Sequence, residues 1–217
     1  MRSDGSRIRK RRTGAVLGGS LLLRIPALVV GIVFHEFAHG YVADRMGDPT
    51  ARYSGRLTLN PVAHLDPIGI LMLWIFGFGW AKPVPINPRN FRDFRRGLLF
   101  VSLAGPAMNL ILAFVSNVSW RLVDPVQGSI VSQLFFWMVF YNLVLAAFNL
   151  IPVPPLDGSK ILMALLPGRQ ARFFAQLQQY GWVILLILIF TGLIGSVLWP
   201  LISLLEGLLN FLTGLVI

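Results

Sequence analysis

The sequence predicts an all-α polytopic membrane protein with about five to six membrane segments and a short membrane-inserted region of strand and loop. Hydrophobic residues make up 55% of the 217 residues and charged residues only 13%, too few to cover a water-soluble core of this size. Three apolar stretches, residues 98–118, 130–151 and 183–217, have the length that a bilayer-spanning helix requires. We therefore expect the lipid bilayer to surround the protein.

The chain has a formal net charge of +10 and no cysteine. Such a charge suggests nucleic-acid binding in a soluble protein. Here Lys and Arg lie mainly between apolar segments, as expected of the positive charge on cytoplasmic loops, so we expect no nucleic-acid partner. The absence of cysteine excludes disulfides, thiolate metal sites and cysteine nucleophiles. His, Asp and Glu remain as candidate metal ligands.

The first spanning helix is predicted over about residues 26–46. Pro26 suits the first turn of a helix, and the Gly-Asp-Pro sequence at residues 47–49 ends it. The chain before Pro26 would lie at the membrane interface, where Arg24 can extend to the headgroups.

Residues 51–90 are rich in proline and glycine, which favours loops and short strands. They surround one apolar piece, residues 68–80, which would cover only about 20 Å as a helix. The hydrocarbon core is about 30 Å thick. We therefore expect a re-entrant segment, packed on protein or lining a wet cavity.

The next span is predicted over about residues 97–120. The core continues through about residues 129–166 as a span, a proline-rich break and a short helix. Two accessory helices follow over about residues 177–217, with a break near residues 195–196. We expect residues 1–217 to form a single domain.

The sequence H-E-F-A-H at residues 35–39 is an H-E-x-x-H motif inside the first helix. Residues four apart share one helix face, so His35 and His39 can reach one metal ion. Glu36 projects beside them and is placed to act as a general base. Ionisable residues near the middle of a span are functional by default. The alternative is a polar cluster that bridges helices.

Catalytic zinc usually takes three protein ligands, so two histidines require a carboxylate from elsewhere. Asp157 stands out because it directly follows the prolines that interrupt a helix at membrane depth. The other carboxylates considered are Asp44, Asp48, Asp66, Asp124 and Glu206. Alternatively, Asp157 is an N-cap of the short helix that follows.

Three motifs occur in order: H-E-F-A-H at residues 35–39, G-P-A-x-N at residues 105–109 and N-L-I-P-x-x-P-L-D-G at residues 149–158. Together they resemble the site-2 protease family of intramembrane zinc metalloproteases. The stretches N-P-V-A-H-L-D-P and A-K-P-V-P-I-N-P-R-N resemble the family's small prokaryotic members. The resemblance covers most of the chain.

The resemblance implies one catalytic zinc ion held by His35, His39 and Asp157. It also implies that Glu36 is the general base. Ligation by nitrogen and oxygen atoms favours zinc among the divalent metals.

The resemblance further implies that Asn149 helps to hold the substrate peptide or its developing oxyanion. Asn109, on the central helix of the core, is also expected to contact the substrate or its oxyanion. Residues 51–90 would clamp the substrate as an added strand.

The expected function is that of an intramembrane zinc metalloendopeptidase, which cuts a peptide bond in or near a transmembrane helix of a membrane-protein substrate. One alternative is a membrane metal-ion transporter, because histidines and carboxylates at mid-membrane also form ion sites. Another is a non-catalytic membrane scaffold or chaperone.

The distribution of positive charge predicts the orientation. Residues 46–96 and 152–176 carry ten Lys and Arg residues, whereas the opposite side has Arg121 and a basic N-terminal tail. The positive charge of these loops favours the side with residues 46–96 and 152–176 as the cytoplasmic side. We therefore expect a multi-pass protein of the cell membrane whose active site opens towards the cytoplasm.

Overall fold

The structure is a computed structural model that describes residues 5–76 and 79–217, with side chains for 22–69, 71–72 and 79–217. The helices in this part of the chain are α1 (Gly5–Met46), α2 (Thr50–Tyr53), α3 (Pro61–His64), α4 (Pro67–Phe76), α5 (Phe94–Val123), α6 (Ile130–Leu150), α7 (Asp157–Leu165), α8 (Gly168–Leu177), α9 (Gly181–Phe190) and α10 (Leu193–Val216). Two 3₁₀ turns lie at Pro88–Asn90 and Gln178–Tyr180.

Among the described residues, five helical stretches are long and apolar enough to cross a bilayer. They are Leu22–Met46, Phe94–Val123, Ile130–Leu150, Gly168–Phe190 and Leu193–Val216. The described residues contain no strand. The prediction of an all-α polytopic membrane protein is confirmed.

Helix α1 begins at Gly5 and runs through Pro26 instead of starting there. Proline removes one backbone hydrogen bond and breaks helices in water. In a bilayer the backbone has no water to bond with, so a helix tolerates an internal proline when neighbouring groups compensate. The predicted start at Pro26 applied the rule for soluble helices.

Helices α1, α5 and α6 form the core, and α7 packs against α5. Ala27, Ala113 and Ala147 are fully buried in these helices, and small residues let membrane helices approach closely. Ala113 also packs with Leu143 of α6 and Leu209 of α10. The last helix is therefore attached to the core.

The segment between α1 and α5 holds three short helices and extended chain. Helix α4 has ten residues and covers about 15 Å, too short to span the bilayer core. Residues 77–78 of the predicted apolar piece lie outside the described residues. In the described part, pairing between extended chains is one isolated antiparallel bridge, Leu65 to Ala81, so the short strands predicted for residues 51–90 do not form among the described residues. Insertion of this segment into the membrane remains a prediction.

The C-terminal helices break at Thr191 and Gly192, earlier than residues 195–196. Gly192 has a φ of 76°, which glycine adopts without the steric cost that a Cβ imposes. The preceding candidate span begins at Gly168, nine residues before its predicted start.

Candidate metal centre

Two histidines of α1 face each other one helical turn apart. The Nε2 atoms of His35 and His39 are 3.0 Å apart, and their rings meet edge to face with centroids 4.6 Å apart. Both side chains are buried. The four-residue spacing thus brings two nitrogen atoms together inside the protein.

The carboxylate comes from the first residue of α7, after the proline-rich break. Oδ2 of Asp157 lies 3.2 Å from Nε2 of His35 and 3.0 Å from Nε2 of His39. Its other oxygen, Oδ1, is 3.2 Å from Nζ of Lys160. Leu156 is the N-cap residue of α7, and no side chain caps this helix. The alternative that Asp157 is an N-cap is therefore wrong.

A chain of amide hydrogen bonds orients His35. The Asn142 amide nitrogen donates to the Met138 carbonyl at 2.8 Å, which turns Oδ1 of Asn142 towards Asn109. Asn109 then donates to that Oδ1 at 2.9 Å and to the Gly31 carbonyl at 3.0 Å. With both amide hydrogens used, Asn109 presents its own Oδ1 to Nδ1 of His35 at 2.6 Å. Because this oxygen only accepts, Nδ1 of His35 carries the proton.

His39 is oriented in the same way, since its Nδ1 lies 2.7 Å from the Val101 carbonyl oxygen. A neutral imidazole with a proton on Nδ1 has a lone pair on Nε2. Two lone pairs and the Asp157 carboxylate therefore converge, with their ligand atoms within 4.8 Å of one another. Such a group can hold a metal cation, and two histidines with one carboxylate are a usual catalytic zinc set. The residues fit a zinc ion.

Gly105 of α5 leaves room beside these ligand atoms. A Cβ at this position would lie 2.6 Å from Nε2 of His35 and closer still to Nε2 of His39. Any side chain here would occupy the space where the ligand atoms converge. The glycine of the G-P-A-x-N motif is thus required by geometry.

Glu36 lies next to His35 in the chain but is not one of the three converging residues. Its half-buried carboxylate accepts a hydrogen bond through Oε2 from the Val84 backbone N–H at 2.9 Å. The site therefore has a carboxylate beside the candidate ligands that is available for proton transfer.

Known proteins with similar sequences are named as zinc metalloproteases. Residues 124–192 match the model of peptidase family M50. The protein named "Putative zinc metalloprotease YwhC" of Bacillus subtilis strain 168 is 42% identical over 183 residues, which cover 81% of this chain and 84% of YwhC. The chain belongs to peptidase family M50.

Further relatives of this M50 peptidase carry similar names. "Putative zinc metalloprotease Rip2" of Mycobacterium tuberculosis strain H37Rv is 34% identical over 177 residues, covering 78% of this chain and 67% of Rip2. "Zinc metalloprotease MJ0392" of Methanocaldococcus jannaschii is 29% identical over 140 residues, covering 64% of this chain and 33% of that protein. No solved structure gives a significant match.

The site-2 protease resemblance is thereby confirmed. This M50 peptidase is a zinc metalloendopeptidase and a multi-pass membrane protein. Neither the family match nor the relatives' names support the transporter or scaffold alternatives.

The structure separates the two asparagines that were predicted to contact substrate. The Asn149 amide donates to the Leu145 carbonyl of its own helix at 3.0 Å, and its role at the oxyanion remains a prediction. Asn109 is fully buried and its hydrogens bond Gly31 and Asn142. Because Asn109 has no hydrogen left for an oxyanion, it orients His35 instead.

Asn142 is a residue of the M50 peptidase site that the sequence reasoning missed. It is fully buried in α6 and fixes the amide of Asn109. The available signal was a polar side chain inside an otherwise apolar span, which is costly without a partner.

Asp48, considered above as a metal ligand, instead ties the chain before α5 to the end of α1. Its Oδ2 accepts from the Asn87 N–H at 2.6 Å, and its Oδ1 accepts from the Asn90 amide at 2.8 Å and from Thr50. Burial raises the pKa of Asp48, but hydrogen bonds from these three residues outweigh burial. The pKa therefore lies below its ordinary value of 3.8.

Proposed function

We propose that this metalloprotease hydrolyses a peptide bond in or near a transmembrane helix of a membrane-protein substrate, as in regulated intramembrane proteolysis. The observation that carries the proposal is the buried convergence of His35, His39 and Asp157. His35 lies near the middle of the spanning stretch Leu22–Met46, where ionisable groups are costly unless they serve a function. A site at this depth suits a scissile bond that also lies in the bilayer.

His35, His39 and Asp157 would hold one zinc ion. When bound, zinc supplies Lewis-acid chemistry, polarising the scissile carbonyl and making water a stronger nucleophile. Lys160 bonds Oδ1 of Asp157, so Oδ2 is the oxygen that faces the histidines. Asn109 keeps the proton of His35 on Nδ1, and such partners of ligating histidines strengthen metal binding.

Glu36 is the proposed general base. Its carboxylate takes a proton from the water that adds to the carbonyl carbon, then gives a proton to the amine as the C–N bond breaks. Its position beside His35 but outside the ligand group supports this role. Asn149 and nearby backbone amides would stabilise the oxyanion.

The proposed partners are a membrane-protein substrate with a transmembrane helix and the lipid bilayer, without nucleic acid. A helical substrate must unwind locally to expose its carbonyl, so helix-weakening residues near the cut should favour cleavage. We assign the protein to the cell membrane with its site opening towards the cytoplasm, because the basic loops at residues 46–96 and 152–176 favour that side.

The test is cleavage by the purified, zinc-loaded full chain in liposomes. Two single-span substrates would share one sequence, except that one carries a Gly-Pro pair in the membrane segment. We expect mass spectrometry to locate the cut in or near that segment, with faster cleavage of the Gly-Pro substrate and none after chelation. Cleavage confined to loops far from the membrane segment would overturn the intramembrane assignment and leave the metalloprotease assignment standing.

A further inference from the structure

The extended segment at residues 82–87 packs along the face of α1 that carries Glu36. Gly40 lies one helical turn after Glu36, so the two share a face. A Cβ at Gly40 would lie 3.1 Å from Cγ1 of Val84, and Val84 itself is buried. The segment therefore lies close enough for its backbone to reach Glu36.

Two prolines make Val84 the single backbone donor at this point. Pro83 and Pro85 have no N–H, whereas the N–H of Val84 donates to Oε2 of Glu36 at 2.9 Å. Proline also fixes its own φ and favours an extended residue before it. The Pro-Val-Pro sequence thus presents one donor from a stiff backbone.

Hydrogen bonds hold the segment at both ends. The Lys82 N–H donates to the His64 carbonyl at 2.9 Å, and the Asn87 N–H donates to Oδ2 of Asp48 at 2.6 Å. Between them, the Arg56 guanidinium donates to the Lys82 carbonyl at 2.8 Å and to the next carbonyl at 3.2 Å. These contacts indicate that the segment stays in place beside Glu36. They argue against a segment that only blocks the site and is displaced by substrate.

We propose that the backbone N–H of Val84 is a positioning group for the Glu36 carboxylate. Among the described residues, no other hydrogen bond reaches this carboxylate. The N–H holds Oε2, so Oε1 remains free to exchange protons with the reacting water and the leaving amine. A charge-assisted bond from a rigid donor fixes the carboxylate before reaction. This inference rests on the proposed role of Glu36 as general base.

The test removes the N–H while keeping the segment extended, by Val84→Pro. We expect kcat to fall about 10–100-fold, the cost of misplacing a reacting group, with KM and bound zinc little changed. The Val84→Ala variant keeps the N–H and should retain activity to within about threefold of wild type, since a side-chain truncation leaves the donor in place. A purely structural effect would lower activity, zinc content and thermal stability together.

A second variant covers the case in which Val84→Pro does not fold. Cell-free synthesis can place the α-hydroxy analogue of valine at position 84, which keeps the side chain and replaces the N–H by an ester oxygen. We expect the same fall in kcat. Wild-type or faster cleavage by the ester variant would overturn the inference, as would an equal loss in Val84→Ala.

Glu36→Gln, assayed in parallel, separates the two proposals. If Glu36→Gln is inactive while the ester variant cleaves normally, only the positioning role fails. If Glu36→Gln cleaves normally, the assignment of the base fails.

Discussion

Oδ1 of Asn109 lies 2.6 Å from Nδ1 of His35 and leaves the Nε2 lone pair facing His39 and Asp157. The relationship depends on a third helix, because Asn142 of α6 holds the Asn109 amide in this orientation. Metal binding by α1 is therefore linked to the packing of α5 and α6.

Asn109→Leu should weaken zinc binding about 10–100-fold, the usual cost of removing a partner of a ligating histidine. Asn142→Leu should weaken it in the same direction by about threefold to tenfold, because the Asn109 amide loses its fixed orientation. Competition with a chromogenic chelator measures both affinities. Wild-type affinity in Asn109→Leu would contradict this account of His35.

A matched control is Asn117→Leu. Asn117 is also buried in α5, and it donates to Oγ1 of Thr213 at 3.0 Å, away from the ligand residues. The variant should lose some thermal stability while its zinc affinity stays at the wild-type value. Equal zinc loss in this control would show that any buried amide between helices has the same effect.

Gly105→Ala should abolish stoichiometric zinc binding, because the new Cβ would lie 2.6 Å from Nε2 of His35. The zinc content of purified protein, measured by mass spectrometry, tests this. Gly207→Ala is the control, since nothing lies within 4 Å of a Cβ built there. Full zinc occupancy in Gly105→Ala would show that the helices can separate at this point.

Asp48→Asn should lower the free energy of unfolding, because an amide nitrogen would then face the donors of Asn87 or Asn90. These hydrogen bonds hold the chain before α5 against the end of α1. We expect a loss of about 1–3 kcal/mol at neutral pH. The pKa of Asp48 lies below 3.8 in the folded protein, so its stabilisation is complete above that value. It is lost as the pH falls through the lower, folded pKa.

Thermal unfolding of detergent-solubilised wild type and Asp48→Asn over a pH series measures this difference. The gap between the two melting temperatures should be constant at neutral pH and close in acid. Asp124→Asn, at the exposed left-handed residue that ends α5, is the control; Asn adopts this conformation as readily as Asp, so no destabilisation is expected. A gap that widens in acid would contradict the expected sign.

Introduced cysteines can test the orientation, because the chain has no cysteine of its own. Arg89→Cys lies in an exposed part of the segment before α5, and Val126→Cys lies in the α5–α6 loop, where the side chain is 80% exposed. A membrane-impermeant thiol reagent should label Cys at 126 in intact cells and Cys at 89 only after the membrane is opened. The reverse pattern would place the active site on the outer side.

Local spacing predicted much of the site, because two histidines four residues apart must share a helix face. Asp157 was found by the proline-rich motif before it, although the chain folds across more than a hundred residues to bring it to the histidines. Asn142 was missed because a polar residue inside a span reveals that it needs a partner but not which one. The Val84 contact was missed because a backbone N–H has no sequence signature.

The fold differed from prediction where sequence rules assume water. In solution proline is favoured in the first turn of a helix, which predicts a start at Pro26, but Pro26 lies inside α1, since a bilayer offers the backbone no competing partner. Gly192 ends a helix through a positive φ. The sequence has a second glycine nearby, Gly195, and composition alone does not show which of the two ends the helix. The number and order of the membrane spans could be predicted because the length of an apolar stretch is a property of the sequence itself.

The most direct measurement compares cleavage of single-span substrates by wild type and Glu36→Gln in liposomes, with bound zinc quantified in both. The substitution keeps the shape of the side chain and removes its ability to accept and return a proton. The account predicts full zinc content in both proteins and cleavage by wild type alone. Cleavage by zinc-loaded Glu36→Gln at the wild-type rate would contradict it.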